Sequence, residues 1–334
     1  MTFRAGPRNL ITDVVGLLVG NADDGKIKSG VTTVLCDKPT VAGVQVLGGA
    51  PGTRETDLLE AHNLVEGIHA ITLSGGSAFG LDAASGVQAA LRERGIGFEA
   101  FGNIVPLVPT AILFDLINGG DKDWGLYSPY RELGYEAAKN AAADFSLGSV
   151  GAGTGATVAG LKGGLGSAST VLANGITIGA LAAVNGVGSV TIGKSRHFWA
   201  APFEIEGEFG GLGLPQPLPA DTQDISLKRR PSSAIENTTI AVIATDAVLT
   251  KAAAKRLAIA SHDGFARAMW PSHTPFDGDL VFALATGGSG IVPDPVAAID
   301  LYAAASATMA RAIARGVYAA TPSAGDKLPV WSSR

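Results

Sequence analysis

Asn237-Thr238-Thr239 stands where a polar, breaker-rich segment meets a run of β-branched residues. The segment from Asp224 to Glu236 carries Lys228, Arg229, Arg230, Pro231, Ser232 and Ser233, whereas Thr239 to Asp246 is free of charge until its last residue and reads as a buried strand. A turn followed by a strand start is the plain reading. The same junction also suits self-cleavage: a strained peptide precedes a hydroxyl, and once it is cut one residue holds both a nucleophilic Oγ and a free α-amine.

Other residues could serve such chemistry. Asp277-Gly278-Asp279 reads as a simple turn, or as two carboxylates that share a cleft with Thr238 and hold its hydroxyl and amine. Lys162 sits alone among glycines, either solvated or desolvated by the passage around it. Asn185, in Val184-Asn185-Gly186, fits a hairpin turn and equally an amide that donates to a developing oxyanion. Ser74-Gly75-Gly76-Ser77 lies at a strand-to-helix turn, but Gly80 comes one place late for a G-x-S-x-G elbow. That leaves Gly76 and Ser77 as a tight turn or a binding loop. Gly151-Ala152-Gly153-Thr154-Gly155-Ala156 has dinucleotide-loop spacing. It lacks the preceding strand and the acidic residue some twenty positions on, so it reads as a place of close backbone approach.

These residues need elements to hold them. Strands are expected over residues 10–20, Gly30–Cys36, Ala42–Leu47 (joined to the previous run by an Asp37-Lys38-Pro39 turn), Ile68–Leu73, within Thr170–Ile192 as a pair around Asn185-Gly186, and over Leu280–Thr286. Helices are expected from Thr53 or Arg54 through Leu64, over 78–94, 130–144 and 248–270, and over 295–315 with Asp294 as N-cap. Hairpins mixed with outer helices point to a layered α+β arrangement in one domain, 1–334.

Charged residues make up 16% of the 334 and hydrophobic ones 46%, with 45 glycines: a packed, turn-rich chain. A net charge of -5 and no basic stripe argue against a nucleic-acid partner. The longest apolar stretch, 176–192, is broken by Asn185 and glycines, so no membrane span is expected. Cys36 is the single cysteine, and the five histidines lack ligand spacing, so neither a disulfide nor a metal is expected. No cofactor is implied. Without a signal-like N-terminus, a cytoplasmic location is the expectation.

The stretches Gly48-Gly49-Ala50-Pro51-Gly52-Thr53-Arg54-Glu55-Thr56-Asp57 and Leu73-Ser74-Gly75-Gly76-Ser77-Ala78-Phe79-Gly80-Leu81, with Gly151–Gly155, Asn237-Thr238-Thr239 and Asp277-Gly278-Asp279, resemble the L-aminopeptidase/D-esterase (DmpA-like) family in order and over nearly the whole chain. The sequence looks most like the branch that hydrolyses nylon (6-aminohexanoate) oligomers. The resemblance implies an αββα sandwich of the N-terminal-nucleophile type. It also implies cleavage between Asn237 and Thr238 into chains 1–237 and 238–334 that stay together, and a homo-oligomer, a tetramer. By the same resemblance Thr238 is the nucleophile, Asp277 and Asp279 orient it, Lys162 lies near it and Asn185 serves the oxyanion. Phe114 stands where nylon hydrolases carry a tyrosine, and so lacks that hydroxyl. The implied substrate is a small amide, short peptide or oligoamide. Two alternatives differ in chemistry: an acyltransferase resembling ornithine acetyltransferase, in which an amine intercepts the acyl-enzyme, and a non-catalytic binding protein on the same fold.

Overall fold

The computed structural model describes residues 3–228 and 237–334; residues 229–236, most of the breaker-rich segment before Asn237, lie outside it. In chain order the elements are β1 (Leu17–Asp24), β2 (Ser29–Val46), β3 (Thr53–Arg54), β4 (Ile68–Ser74), α1 (Ala83–Glu93), β5 (Phe98–Ala100), β6 (Asn103–Val105), β7 (Thr110–Ile112) and α2 (Tyr130–Lys139). There follow β8 (Thr157–Val158), β9 (Leu161–Lys162), β10 (Gly164–Val171), β11 (Thr177–Val184), β12 (Ile240–Thr245), α3 (Lys251–Ala268), β13 (Leu280–Ala285) and α4 (Pro295–Tyr318).

The long strand β2 organises the rest. Its first half pairs with β1 and β4, and β4 continues through β7 to β3. Between Leu35 and Thr40 the register slips, and from Val41 to Val46 the strand pairs instead with β13, which leads through β12 and β11 to β10. One strand thus belongs to two stacked sheets. Alternation fills the space between them: Val34, Ile71 and Leu73 from the first half meet Leu181, Val242, Phe282 and Leu284 from the second. Outward neighbours take the other faces. Ile243 and Val281 pack with Leu257 and Phe265 of α3 and Met309 of α4, and Leu35 and Ala70 pack with Val87 and Leu91 of α1. The layers run helix, sheet, sheet, helix, the αββα sandwich expected from the sequence.

The helices end as their sequences dictate. Thr250 accepts from the Ala253 N–H at the start of α3, and Asp294 caps α4 by accepting from Val296 and Ala297. α4 is apolar and long enough to cross a membrane, yet most of it is buried, against α3, β10 and β11.

Several local expectations give way. Asp37-Lys38-Pro39 is no turn between two strands; it lies inside β2, exposed at the register slip, where a missing N–H costs no ladder bond. The helix expected from Thr53 is a two-residue strand and a single 3-10 turn at Asp57–Leu59, with Leu64 left 94% exposed. Residues 10–20 hold a 3-10 turn before β1 begins at Leu17. The β10–β11 hairpin closes at Leu172–Ile176 and not at Asn185-Gly186, which follows β11.

Candidate active site

The chain entering β12 is clamped from both sides. The Asn237 N–H donates to the Phe276 carbonyl (2.8 Å) and the Thr238 N–H to the Asn185 carbonyl (3.2 Å). The turn after β11 and the loop before β13 therefore grip the same peptide, and both residues are buried. The Asn237 carbonyl oxygen accepts twice, from the Gly278 N–H at 2.7 Å and from Thr238 Oγ1 at 2.6 Å. The hydroxyl thus sits on the carbonyl that precedes it, while a backbone N–H polarises that carbonyl from the other side. Glycine between the two aspartates is a steric requirement: a Cβ there would lie 2.8 Å from Thr238 Oγ1 and 2.6 Å from the Ala50 carbonyl oxygen.

Asp277 and Asp279 have no exposed surface. Contrary to the reading in which one of them takes the Thr238 hydroxyl, they fix backbone on either side of it. Asp277 accepts from the Val187 N–H (3.1 Å) and from the Thr274 N–H (3.0 Å) and Oγ1 (2.6 Å). Asp279 accepts from the Thr239 N–H (2.8 Å), and from the His273 N–H (3.0 Å) and ring Nδ1 (2.9 Å). Burial first, then the charge of Asp279, pushes the Asp277 carboxyl up to about 6.

Asn185 is fully buried and its side chain is held at three points. Nδ2 donates to the Phe114 carbonyl (2.9 Å), and Oδ1 accepts from the Thr157 N–H (2.9 Å) and Lys228 Nζ (2.8 Å). An amide nitrogen carries two hydrogens, so Nδ2 retains donor capacity beyond Phe114. Phe114, Asp115, Gly155, Thr157 and Lys228 line a cleft of about 170 Å³ beside it.

The remaining candidates bond to other partners. Gly76 reaches the cleft through Asp115, whose carboxylate accepts from its N–H at 2.8 Å, and a Cβ at Gly76 would collide with the Tyr130 ring. Ser77 opens a 3-10 turn and its N–H donates to the Leu113 carbonyl. Lys162 is buried on β9, its residue paired with Thr157, and its ammonium is bound to Asp326 at 2.8 Å, with Lys28 on the other carboxylate oxygen. The ammonium in contact with Asn185 is that of Lys228. The glycine loop 151–155 is a place of close approach, as its composition suggests: a Cβ at Gly155 would lie 2.5 Å from Asp115 Oδ2.

Sequence reasoning missed Asp115, Gly278 as a donor, and His273. Asp115 is buried, held also by Ser29 Oγ at 2.6 Å, and burial raises its pKa. Its signal was a carboxylate closing the apolar run 107–114. His273 carried no signal of its own, since its partner comes from a fold contact.

A model of peptidase family S58 matches residues 9–329. The chain is 43% identical over 335 residues to an uncharacterised aminopeptidase of Mycobacterium tuberculosis, spanning 95% of this chain and 96% of that one. It is 27% identical over 289 residues to a 6-aminohexanoate-oligomer endohydrolase of Kocuria sp., spanning 84% of this chain and 76% of the relative. The solved structure of the L-aminopeptidase D-Ala-esterase/amidase of Ochrobactrum anthropi, a variant of the Ntn hydrolase fold, matches at a TM-score of 0.67 and 24% identity, over 98% of this chain and 92% of that one. That likeness speaks for the fold, and the layering here is of that kind.

Proposed function

The chain belongs to peptidase family S58, and from that premise we propose that this peptide-bond hydrolase makes its own nucleophile by cutting itself between Asn237 and Thr238. The observation that carries the reading is the Asn237 carbonyl oxygen held between the Gly278 N–H and Thr238 Oγ1. Thr238 Oγ attacks the Asn237 carbonyl carbon. The C–N bond breaks, and the hydroxyl proton ends on the departing nitrogen. Water then hydrolyses the ester, leaving Asn237 as a carboxylate and Thr238 with a free α-amine.

An α-amine titrates near 7.7–8.0 when unperturbed, about where a general base at neutral pH should. It takes the Oγ proton as Thr238 attacks a substrate amide and passes it to the leaving amine; water releases the acyl group. Departure of the Asn237 carbonyl vacates the Gly278 N–H, which with Asn185 Nδ2 takes the substrate's oxyanion. Each such donor is worth about 2.7–4 kcal/mol in the barrier. Phe114 brings a ring without a hydroxyl, so the burden falls on those two donors. The substrate class is a small amide, short peptide or oligoamide bound in the cleft beside Asn185, and a tetramer is the assembly the family resemblance implies.

Intact-mass spectrometry tests this directly. Wild-type protein should give two masses that divide at Asn237/Thr238, and Thr238→Ala a single inactive chain. Wild-type protein that hydrolyses amides while uncut would overturn the reading.

A further inference from the structure

Asp279 is the end of a chain of ring nitrogens that the proposed chemistry leaves unused. His273 Nδ1 lies 2.9 Å from Asp279 Oδ2, His273 Nε2 lies 3.2 Å from His262 Nδ1, and His262 Nε2 lies 3.0 Å from the Gln45 carbonyl oxygen. Proton counting along this chain starts from its two ends. A carbonyl only accepts, so His262 Nε2 carries hydrogen. Burial lowers the pKa of His262 to about 4, so near neutral pH it holds that one proton and Nδ1 is a lone pair. A hydrogen bond to that lone pair requires hydrogen on His273 Nε2. At the far end Asp279 accepts the Thr239 N–H and the His273 N–H, as a carboxylate does, so His273 Nδ1 must donate as well. With Asp279 as a carboxylate and His262 singly protonated, the count leaves both ring protons on His273.

The backbone agrees that this ring is placed against resistance. His273 adopts φ +56°, a left-handed conformation that a non-glycine residue holds only when its surroundings enforce it. Asp279 enforces it by accepting from both the backbone and the ring, and the ring packs against Phe265 and His262, with centroids 5.1 and 4.7 Å away.

We propose that His273 is a positioning residue: as an imidazolium it compensates Asp279 and holds that carboxylate on the Thr239 N–H, immediately after the nucleophile. The proposal rests on reading Thr238 as that nucleophile. Loss of the His273 proton would set two ring lone pairs 3.2 Å apart in a buried contact and leave Asp279 uncompensated beside Asp277. The charged and titratable groups facing this pair among the described residues are Asp277 on the same loop and His262 on α3, with Asp263 acting on His262, and the Thr238 amine once it is freed; from β2 the Gln45 carbonyl meets His262.

His273→Gln keeps a Cβ, and with it the same backbone requirement, and keeps a neutral donor while removing the charge. Self-processing and amide turnover should slow about tenfold to hundredfold at neutral pH, the loss typical of a charge-assisted bond. The pH profile of turnover should change shape in the variant. Wild-type rates with an unchanged profile in His273→Gln would overturn the proposal. The second measurement uses histidine-selective 15N NMR on the uncut Thr238→Ala chain. Both ring nitrogens of His273 should be protonated at pH 7, and one bare nitrogen there would overturn the proposal. Because that chain is never cut, this readout decides the charge of His273 independently of whether Thr238 proves to be the nucleophile.

Discussion

Gly278 approaches Thr238 so closely that a methyl group on its Cα would stand 2.8 Å from the threonine hydroxyl oxygen. The same residue's N–H holds the Asn237 carbonyl. Gly278→Ala should displace both attacker and target, and a shift of about 1 Å in such a geometry costs about a hundredfold in rate. Denaturing gels taken over time should show the uncut chain persisting, while circular dichroism reports an unchanged fold. Wild-type processing in this variant would mean that the contact does not position the attack.

The Asp277 carboxyl should give the site an acid limb. With its pKa pushed up to about 6, it takes a proton below that pH and can no longer accept fully from Val187 and Thr274. Processing should therefore slow as pH falls through about 6, and Asp277→Asn should lose that inflection. Stability moves the other way. The folded chain holds this proton more tightly than the unfolded chain, where the carboxyl titrates near 3.8, so the group favours folding most below that value, and the contribution is lost as pH rises through about 6. Rate and melting profiles across pH 4–8 separate the two effects.

What the sequence revealed depended on whether the signal was local. The strand Ile240–Thr245 and the helices Lys251–Ala268 and Pro295–Tyr318 were legible because composition, cap and periodicity agreed within one window. Pro39 misled because it sits where β2 leaves one sheet for the other, a place at which a proline costs no ladder bond. A helix through Leu64 needs a buried stripe, but of Leu58, Leu59 and Leu64 only Leu59 is buried. In the site, Thr238 and the two aspartates are close in space as their motifs suggested. The pairing of Lys162 with Asp326, of Lys228 with Asn185 and of His273 with Asp279 depends on which side chains the fold turns toward each other, which spacing along the chain does not encode.

Asn185 holds three neighbours with one amide, and its replacement separates catalysis from binding. Asn185→Ala removes the partner of the Thr157 N–H and the Phe114 carbonyl and, on the proposed mechanism, takes one oxyanion donor from the site. Loss of such a donor lowers kcat about 10²–10³-fold. On that mechanism the interaction strengthens only in the transition state, so KM should change little. Steady-state kinetics on a p-nitroanilide substrate, with processed protein, give both numbers. A raised KM with kcat unchanged would make Asn185 a binding residue.

Cleavage at Asn237/Thr238 should not release the smaller chain. β12 would begin two residues after the new N-terminus, and it lies in mid-sheet, paired with β11 of the large chain on one side and with β13 on the other; β13 in turn pairs with β2. Separating the chains would open two six-residue ladders and expose the core between the sheets. Processed protein should therefore elute from size exclusion as one species and part only in denaturant. The far end of the small chain adds a second tie, because Asp326 takes the ammonium groups of Lys28 and Lys162, both from the large chain. Lys162 is buried, and removing the partner of a buried charge costs more than the bond itself contributed. Asp326→Ala should lower the melting temperature of processed protein by about 2 °C or more while leaving the cleavage at Thr238 unaffected. A variant that melts normally but fails to cut would move Lys162 from the seam between the chains into the chemistry.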